Sequence, residues 1–243
     1  MPTVLLLGAG SDMAIAIARK FAAEKYNIQL AARNTAALEP LQKDLQIRYG
    51  ITATTHSFDA TAFDTHPAFY TALPVQPDIT ICVFGYLGDQ TKAQEDWTEA
   101  RTIIDTNYTG AVSVLNVVAE SYAAKKAGAI VGISSVAGER GRQSNYMYGS
   151  AKAGFTAYLS GLRNRLFRSS VHVMSVQPGF VNTRMTQHLT LPPLLTAQPE
   201  AIANAVFSAV RKKKNTIYVK WFWRYIMLII KLIPEGIFKK LKL

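Results

Sequence analysis

Short apolar segments alternate with helical patterns along most of this chain, and no other feature constrains its fold as strongly. Several segments are apolar at every position, as expected of strands that are covered on both faces. Because helical patterns separate them, the connections are crossovers between parallel strands. The sequence therefore predicts an α/β fold: a doubly wound Rossmann fold with a parallel seven-stranded sheet and helices on both faces. The predicted strands are residues 3–7, 27–31, 52–58, 78–84, 129–134, 171–177 and 216–219, and the predicted helices lie near residues 12–24, 35–48, 94–125, 146–168 and 198–211.

The alternation ends near residue 220. This divides the chain into a predicted Rossmann-fold domain, residues 1–220, and a basic amphipathic tail, residues 221–243. The formal net charge is +11, and residues 211–243 hold ten basic side chains and one acid, Glu235, so the rest of the chain is nearly neutral. Nucleic-acid-binding proteins more often carry their basic charge on the fold itself, so no nucleic-acid partner is expected.

The N-terminal segment and the cysteine content indicate the compartment. The first apolar run has no basic segment before it, so it is typical of a strand and not of a secretory signal. The single cysteine, Cys82, has no partner for an intramolecular disulfide. We therefore expect a cytoplasmic protein. No metal is predicted, because the four histidines share no ligand spacing; they are His56, His66, His172 and His188.

A turn of small residues follows the first strand and opens a helix. Such a turn lets a pyrophosphate approach backbone N–H groups at the helix N-terminus, where the helix dipole favours negative charge. The full G-x-G-x-x-G pattern is absent, because Met13 stands at the last glycine position. A tight turn without a ligand is the alternative. The predicted coenzyme-binding residues here are Gly8, Gly10, Ser11, Asp12 and Met13.

The end of the second strand indicates which coenzyme is preferred. NAD-specific sites tend to place Asp or Glu near this point, whereas an arginine suits the 2′-phosphate of NADP. The segment contains Arg33 and no acid. The sequence therefore predicts NADP(H) in preference to NAD(H), with a solvated Arg33 as the alternative.

Ser135, Tyr148 and Lys152 form the candidate catalytic set. Tyr148 and Lys152 are four residues apart on a predicted helix and share one face. An ammonium beside a phenol is expected to lower the tyrosine pKa from about 10, so that Tyr148 could exchange a proton with an alcohol or carbonyl oxygen. Ser135 follows a buried strand and could hydrogen-bond the same oxygen. The same spacing recurs at Tyr122 and Lys126, but within a long helical pattern.

These motifs, with Asn107 and the segment 178–183, resemble the short-chain dehydrogenase/reductase family over about residues 3–220. The resemblance implies NAD(P)-dependent hydride transfer to or from a carbonyl or alcohol. It implies Tyr148 as acid and base, Ser135 as the residue that holds the substrate oxygen, and Lys152 as the ligand of the nicotinamide ribose. Asn107 would support a proton-relay water. A homodimer or homotetramer through the long helices near 94–125 and 146–168 is also implied.

The resemblance also implies further coenzyme contacts. Asp59 would lie near the adenine, and Thr183 with the backbone near Val181 would hold the nicotinamide carboxamide. Phe84, Gly85, Pro178 and Gly179, together with Tyr148 and Lys152, complete the implied coenzyme set. Two family patterns are altered in this sequence. At the three glycine positions of G-x-x-x-G-x-G, this chain has Gly8, Asp12 and Ala14. In place of Asn-Asn-Ala-Gly it has Cys-Val-Phe-Gly at residues 82–85. A carboxylate beside a pyrophosphate is unfavourable, so the Asp12 side chain is expected to point away or only its backbone to contact the coenzyme.

A narrower resemblance concerns the substrate. Segments 84–89, 107–114, 137–142 and 183–185, together with the tail, are similar to a subgroup of reductases that act on a keto-sugar carried by a polyprenyl phosphate. The implied substrate is a small molecule, in particular a lipid-linked keto-sugar. Two alternatives stay open, a reductase of a soluble small ketone and a non-catalytic nucleotide-binding scaffold.

The tail is predicted to form a helix over residues 220–233, with a narrow basic stripe on a wide apolar surface. The stripe holds Lys220, Arg224 and Lys231, with Met227 inside it. Such a helix suits an anionic membrane surface, so we expect peripheral association with the inner face of the membrane; packing on the body or at a subunit interface is the alternative. Further basic residues would add to the attraction; they are 211–214, Lys239, Lys240 and Lys242.

Other polar and flexible features flank the predicted site. A long proline-interrupted segment, 182–197, is typical of a lid. Arg140, Arg142 and Arg184 could each reach a substrate phosphate, because a guanidinium matches its geometry.

Overall fold

The computed structural model describes residues 1–187 and 189–241. His188 and Lys242, which the sequence analysis names, lie outside the described residues. The prediction of an α/β doubly wound fold is confirmed.

A seven-stranded parallel sheet forms the centre of the molecule, in the order β3-β2-β1-β4-β5-β6-β9. A separate two-stranded sheet pairs β7 with β8. The strands are β1 Thr3–Leu7, β2 Asn27–Ala32, β3 Ala53–Ser57, β4 Ile79–Cys82, β5 Ala129–Ile133, β6 His172–Pro178, β7 Phe180–Val181, β8 Thr196–Ala197 and β9 Thr216–Val219. Each predicted strand of the central sheet is present, with ends that differ by no more than a few residues.

The strand order reverses between β1 and β4. The chain begins in the middle of the sheet, moves outward through β2 to β3, and then returns to the other side of β1. The two crossovers on either side of this point leave a crevice at the carboxyl ends of β1 and β4. Open α/β sheets bind their ligands at such a point.

Helices cover both faces of the sheet. They are α1 Asp12–Ala23, α2 Glu39–Tyr49, α3 His66–Thr71, α4 Gln90–Glu95, α5 Trp97–Ile104, α6 Gly110–Lys125, α7 Tyr146–Leu166, α8 Pro199–Arg211, α9 Trp223–Leu232 and α10 Glu235–Phe238. One apolar layer packs α1, α2 and α8 on the sheet through residues such as Phe21, Leu45 and Val206. The opposite layer packs α6 and α7 through Val118 and Leu159.

The long helix predicted near residues 94–125 is interrupted twice. Asp96 ends α4 and begins α5, because its carboxylate accepts a hydrogen bond from Thr98 N at 2.8 Å. A π-helical turn, Asp105–Thr109, then separates α5 from α6 and contains Asn107. Such turns are frequent at functional sites.

The tail packs on the body along one face of α9. Trp223 is 3% exposed and Met227 is fully buried, in a cluster with Val136 and Phe180. The prediction that Met227 belongs to the basic stripe is therefore wrong, because the apolar contact with the body decides which face turns inward. Lys220 precedes α9 and so is not part of a helical stripe either.

Candidate active site

The turn after β1 approaches the loop after β4 closely. Gly8 adopts φ +89°, and the amides of Gly8 and Ala9 donate to Ala31 O at 2.9 and 3.0 Å. A Cβ at Gly8 would lie 2.6 Å from the backbone nitrogen of Phe84. Both the positive φ and the close approach require glycine at this position.

The N-terminus of α1 opens onto free space. Ser11 caps the helix by accepting a hydrogen bond from Ala14 N at 3.2 Å. A Cβ at Gly10 would meet no protein atom within 4 Å. The neighbouring cleft has a volume of about 530 Å³, which suits a small-molecule ligand. It brings together the predicted coenzyme residues Gly8, Gly10, Ser11, Asp12, Met13, Arg33, Asp59, Phe84, Gly85 and Thr183.

The Asp12 carboxylate is paired within the protein. It accepts hydrogen bonds from Arg184 N at 2.7 Å and from Arg184 Nε at 2.9 Å, and the Arg184 guanidinium also donates to Gly10 O at 2.5 Å. The arginine neutralises the charge that would oppose a pyrophosphate. The Arg184 guanidinium is therefore engaged with Asp12 and Gly10, and its contact with a substrate phosphate stays a prediction.

Arg33 and Asp59 line the same cleft. Arg33 is exposed, and within residues 1–187 and 189–241 no carboxylate forms an ion pair with it. Asp59 accepts hydrogen bonds from Thr61 N at 2.9 Å and Thr61 Oγ1 at 2.8 Å. The Thr61 amide lowers the pKa of Asp59, with a smaller contribution from Arg33.

An inner pocket of about 140 Å³ continues from the cleft. Ser135 follows β5, and Tyr148 and Lys152 lie on the first two turns of α7, so the three predicted catalytic side chains line this pocket together. Lys152 Nζ donates to Ile133 O at 3.1 Å and lies 5.7 Å from the centroid of the Tyr148 ring. Pro178, Gly179, Val181 and Thr183 line the same pocket.

Burial dominates the titration of the tyrosine and the lysine. It raises the pKa of Tyr148 to about 12, an effect that the Ser135 hydroxyl partly offsets. It lowers the pKa of Lys152 to about 8. The prediction that the Tyr148 pKa lies below its usual value is therefore wrong, because burial sets this pKa and the Lys152 ammonium donates to the Ile133 carbonyl. Tyr148 is a neutral phenol at pH 7 and can give a proton.

Asn107 holds the loop after β4. Its Nδ2 donates to Tyr86 O at 2.6 Å and to Ile103 O at 2.8 Å, while its Oδ1 accepts from Tyr86 N at 3.2 Å. A Cβ at Gly85 would lie 2.9 Å from Asn107 Oδ1 and 3.5 Å from Lys152 Nζ. Asn107 and Lys152 therefore flank Gly85, next to the inner pocket.

The second tyrosine–lysine pair lies apart from this site. Tyr122 is buried, and its hydroxyl is 2.8 Å from Thr80 Oγ1. Lys126 caps the end of α6 with φ +53° and is exposed. The spacing alone does not distinguish the two pairs, whereas the strand that precedes Ser135 does.

The sequence analysis missed the contribution of the tail to the pocket. Trp223 of α9 lines the inner pocket, and its Nε1 donates to Leu195 O at 3.2 Å. A Cβ at Gly179 would lie 2.0 Å from the Trp223 ring, so the loop after β6 fits the indole only with glycine. An aromatic residue within an amphipathic pattern carries no signal of such a contact.

Arg140 anchors the end of α9. It donates to Ile230 O at 2.5 Å and Ile233 O at 2.7 Å, and pairs with Glu235 at 3.0 Å. Its guanidinium lies 3.6 Å from the centroid of the Phe238 ring. The expectation that Arg140 reaches a substrate phosphate is therefore wrong, because the carbonyls at the end of the helix occupy it. Arg142, by contrast, lines the inner pocket.

Two further observations concern metals and membranes. Within the part of the chain that the structure describes, no group of three His, Cys, Asp or Glu side chains could hold a metal ion. No helix among those residues has the length and apolarity needed to cross a bilayer.

Cys82 is buried, and burial raises its pKa to about 12.

The chain was compared with known proteins. A family model described as short chain dehydrogenase matches residues 2–192. An uncharacterised oxidoreductase of Mycobacterium tuberculosis is 33% identical over 98% of this chain and 96% of its own length. An uncharacterised oxidoreductase of Streptomyces coelicolor is 31% identical over 98% and 95%. A short-chain dehydrogenase from Sphingobium yanoikuyae, solved in complex with NADPH, has a TM-score of 0.84 at 21% identity, covering 99% of this chain and 96% of that one.

Proposed function

The chain belongs to the short-chain dehydrogenase family and is an NAD(P)-dependent oxidoreductase, and on this premise we propose that it is a carbonyl reductase that uses NADPH. The observation that carries the proposal is the inner pocket, where Tyr148 stands as a neutral phenol beside Ser135 and Lys152. A non-catalytic scaffold has no need for Ser135, Tyr148 and Lys152 in one pocket, so this arrangement favours an enzyme over a scaffold.

The coenzyme is held by residues that line the outer cleft. Open space at Gly10 and the capped N-terminus of α1 suit a pyrophosphate, because backbone N–H groups and the helix dipole meet there. The proposal assigns Asp59, which lines the cleft, to the adenine, and Pro178, Gly179, Val181 and Thr183, which line the inner pocket, to the nicotinamide. When bound, the coenzyme supplies the hydride.

The side chains of this protein handle the proton. Tyr148 Oη donates its proton to the carbonyl oxygen of the substrate. Ser135 Oγ accepts from Ala137 N at 3.1 Å, which leaves its own hydrogen free to donate to the same oxygen. The Lys152 ammonium stabilises the phenolate that forms. Asn107 keeps Gly85 and the loop after β4 in place. With a pKa of about 12, Tyr148 carries at neutral pH the proton that the reduction requires.

Preference for NADPH rests on Arg33. Its guanidinium is exposed at the end of the cleft, and the residues beside it, Ala32 and Asn34, carry no charge. A guanidinium binds a phosphate with parallel hydrogen bonds, so the 2′-phosphate of NADPH suits this position.

Calorimetric titration tests the coenzyme site. We expect NADPH to bind the wild type more tightly than NADH, and Arg33→Ala to weaken NADPH binding about tenfold or more, as expected for a lost charge-assisted contact of about 1.5–3 kcal/mol. NADH binding should change little. Equal losses for both coenzymes would contradict the role of Arg33, and no binding of either would contradict the proposed function.

We further propose a lipid-linked keto-sugar as the substrate, at the inner face of the membrane. The outer face of α9, defined here as Tyr225, Leu228, Ile229 and Leu232, is 50–72% exposed, and basic side chains such as Arg224 and Lys239 lie nearby. The inner face of the same helix carries Trp223, which lines the pocket. A membrane on the outer face would therefore lie next to the pocket. The proposal also draws on the resemblance of segments 84–89, 107–114, 137–142, 183–185 and the tail to decaprenylphosphoryl-2-keto-ribose reductase.

A soluble small ketone is the second candidate. The inner pocket has a volume of only about 140 Å³, which suits a compact substrate. Rates with water-soluble ketones and with a polyprenyl-phosphate-linked ketone, compared at equal concentrations, distinguish the two candidates.

Association into a homodimer or homotetramer is also proposed. Trp97 on α5 is 68% exposed and Phe167, at the end of α7, is 80% exposed. Exposed aromatic side chains of this kind are enriched at protein interfaces.

A further inference from the structure

Three arginines were predicted from the sequence to reach a substrate phosphate, and the protein itself holds two of them. Arg140 donates to the carbonyls at the end of α9, and Arg184 holds Asp12 and Gly10. Arg142 lines the inner pocket, and within residues 1–187 and 189–241 no carboxylate forms an ion pair with it.

The surroundings of Arg142 are mainly apolar. Leu87, Val136, Phe180 and Trp223 line the same pocket. Lys152 is the other charged side chain among the described residues of the lining, and its ammonium donates to Ile133 O. Among the described residues of the lining, Arg142 is therefore the cation that is available to bind an anionic group of a ligand.

Arg142 carries a buried donor without an acceptor. Its Nε is inaccessible to solvent and has no hydrogen-bond partner in the described part of the chain. Burial lowers the pKa of the guanidinium, which nevertheless stays protonated at neutral pH. A buried charged donor without an acceptor destabilises a fold, so such a group often indicates the position of a ligand acceptor.

Asn145 supplies a buried hydrogen-bond acceptor that also lacks a partner in the described part of the chain. Its Oδ1 is buried without a donor among the residues that the structure describes, and Asn145 also lines the inner pocket. Asn145 N donates to Arg142 O at 3.1 Å, so one turn before α7 presents both side chains. A donor for an anion and an acceptor for a hydroxyl therefore lie on the same side of the pocket.

We propose that Arg142 binds an oxyanion of the substrate, namely the phosphoryl group of a phosphorylated keto-sugar, while Asn145 accepts a hydrogen bond from a neighbouring hydroxyl. This inference rests on the proposed function, because it takes the inner pocket to be the substrate site. The guanidinium provides parallel N–H donors that match phosphoryl oxygens. Arg142 would then determine specificity, while Tyr148 and Ser135 act on the carbonyl.

Binding of a phosphorylated ligand and its neutral counterpart tests the inference. Calorimetry measures the affinity of glycerol 3-phosphate and of glycerol for the full-length wild type and for Arg142→Gln, whose folding is checked by circular dichroism. We expect the wild type to prefer glycerol 3-phosphate, and Arg142→Gln to lose at least tenfold of that preference. Arg142→Lys keeps the positive charge but lacks the parallel N–H donors of the guanidinium, so it should retain part of the preference for glycerol 3-phosphate. The matched control Arg48→Gln, at an exposed arginine of α2 that lines neither the cleft nor the inner pocket, should leave the ratio of the two affinities unchanged.

Two outcomes would overturn the inference: a wild type that does not prefer the phosphorylated ligand, or an Arg142→Gln variant that prefers it as strongly as the wild type. Reduction of dihydroxyacetone and dihydroxyacetone phosphate with NADPH reports separately on the proposed function. If neither ketone is reduced while the binding preference depends on Arg142, the proposed reaction on these ketones fails and the anion site stands.

Discussion

Tyr148 and Lys152 share one face of α7, yet burial governs the pKa of each. The spacing of these residues and the strand before Ser135 were sufficient to predict that the three side chains meet in one pocket. Their pKa values could not be predicted from spacing, because they depend on how much water the surrounding loops exclude and on the Ile133 carbonyl that accepts from the ammonium. The result is an acid that is ready to donate and a lysine that titrates near neutral pH.

The pKa of Lys152 predicts the pH dependence of reduction. Because burial lowers this pKa to about 8, the ammonium that stabilises the phenolate is lost as the pH rises through that value. Tyr148, with a pKa of about 12, does not ionise in this range. We expect kcat/KM for ketone reduction to be constant from about pH 6 to 7 and to fall tenfold per pH unit above about 8. Initial rates across this range measure it.

Lys152→Arg provides the check on this assignment. An arginine keeps its proton throughout the range, so the variant is expected to have a lower activity that no longer falls above about pH 8. The same fall in the variant would show that another group is responsible.

The elements that the sequence predicted least well are those that complete the site. Helix α9 was predicted as amphipathic, but its register on the body depends on contacts of Trp223 with Gly179 and of Met227 with its cluster, which join distant segments. The π-helical turn that places Asn107 has no pattern of its own, because it interrupts an otherwise regular helical periodicity. Sequence periodicity reports on local faces, whereas these features arise from tertiary packing.

The anchor of α9 gives a prediction about stability. The Arg140 side chain is 14% exposed and binds several carbonyls, so Arg140→Ala removes hydrogen bonds to partly buried acceptors. We expect a loss of about 2 kcal/mol of unfolding free energy, which corresponds to a decrease of roughly 4–8 °C in Tm. Thermal unfolding followed by circular dichroism measures it.

Arg48→Ala serves as the matched control, because Arg48 is 64% exposed and pairs with Asp44 on the surface of α2. Its expected loss is at most about 0.5 kcal/mol. Equal effects of the two substitutions would show that the bonds of Arg140 to α9 contribute little.

At the scale of the whole molecule, alternation of strands and helices was sufficient to predict the doubly wound sheet. The helical crossovers determine parallel strands, and parallel strands in turn require helices on both faces. The short helix α3 was not predicted, because six residues are too few for a periodic signal. The charge of the tail was visible in the sequence, whereas its proximity to the pocket was visible only in the fold.

The proposed membrane surface gives a prediction at this scale. We expect the wild type to cosediment with vesicles that contain anionic phosphatidylglycerol and much less with neutral phosphatidylcholine vesicles, with binding that weakens as salt increases. The double variant Ile229→Glu and Leu232→Glu should lose this binding, because both side chains belong to the exposed face of α9.

The control for this experiment is Ile47→Glu, on α2, where an isolated isoleucine is 86% exposed. It should bind vesicles like the wild type. A double variant that still cosediments fully would contradict membrane docking through α9 and favour the soluble-ketone alternative.

The most direct test of a Tyr148-dependent NADPH reductase compares turnover in the wild type and in Tyr148→Phe. The measurement is NADPH consumption with a panel of ketones that includes dihydroxyacetone, together with the dissociation constant of NADPH. We predict that the wild type reduces at least one ketone, and that Tyr148→Phe lowers kcat for it by about 10²–10⁴-fold while NADPH binding is retained, because only the proton donor is removed. Full activity in Tyr148→Phe, or no reduction by a wild type that binds NADPH, would contradict the account.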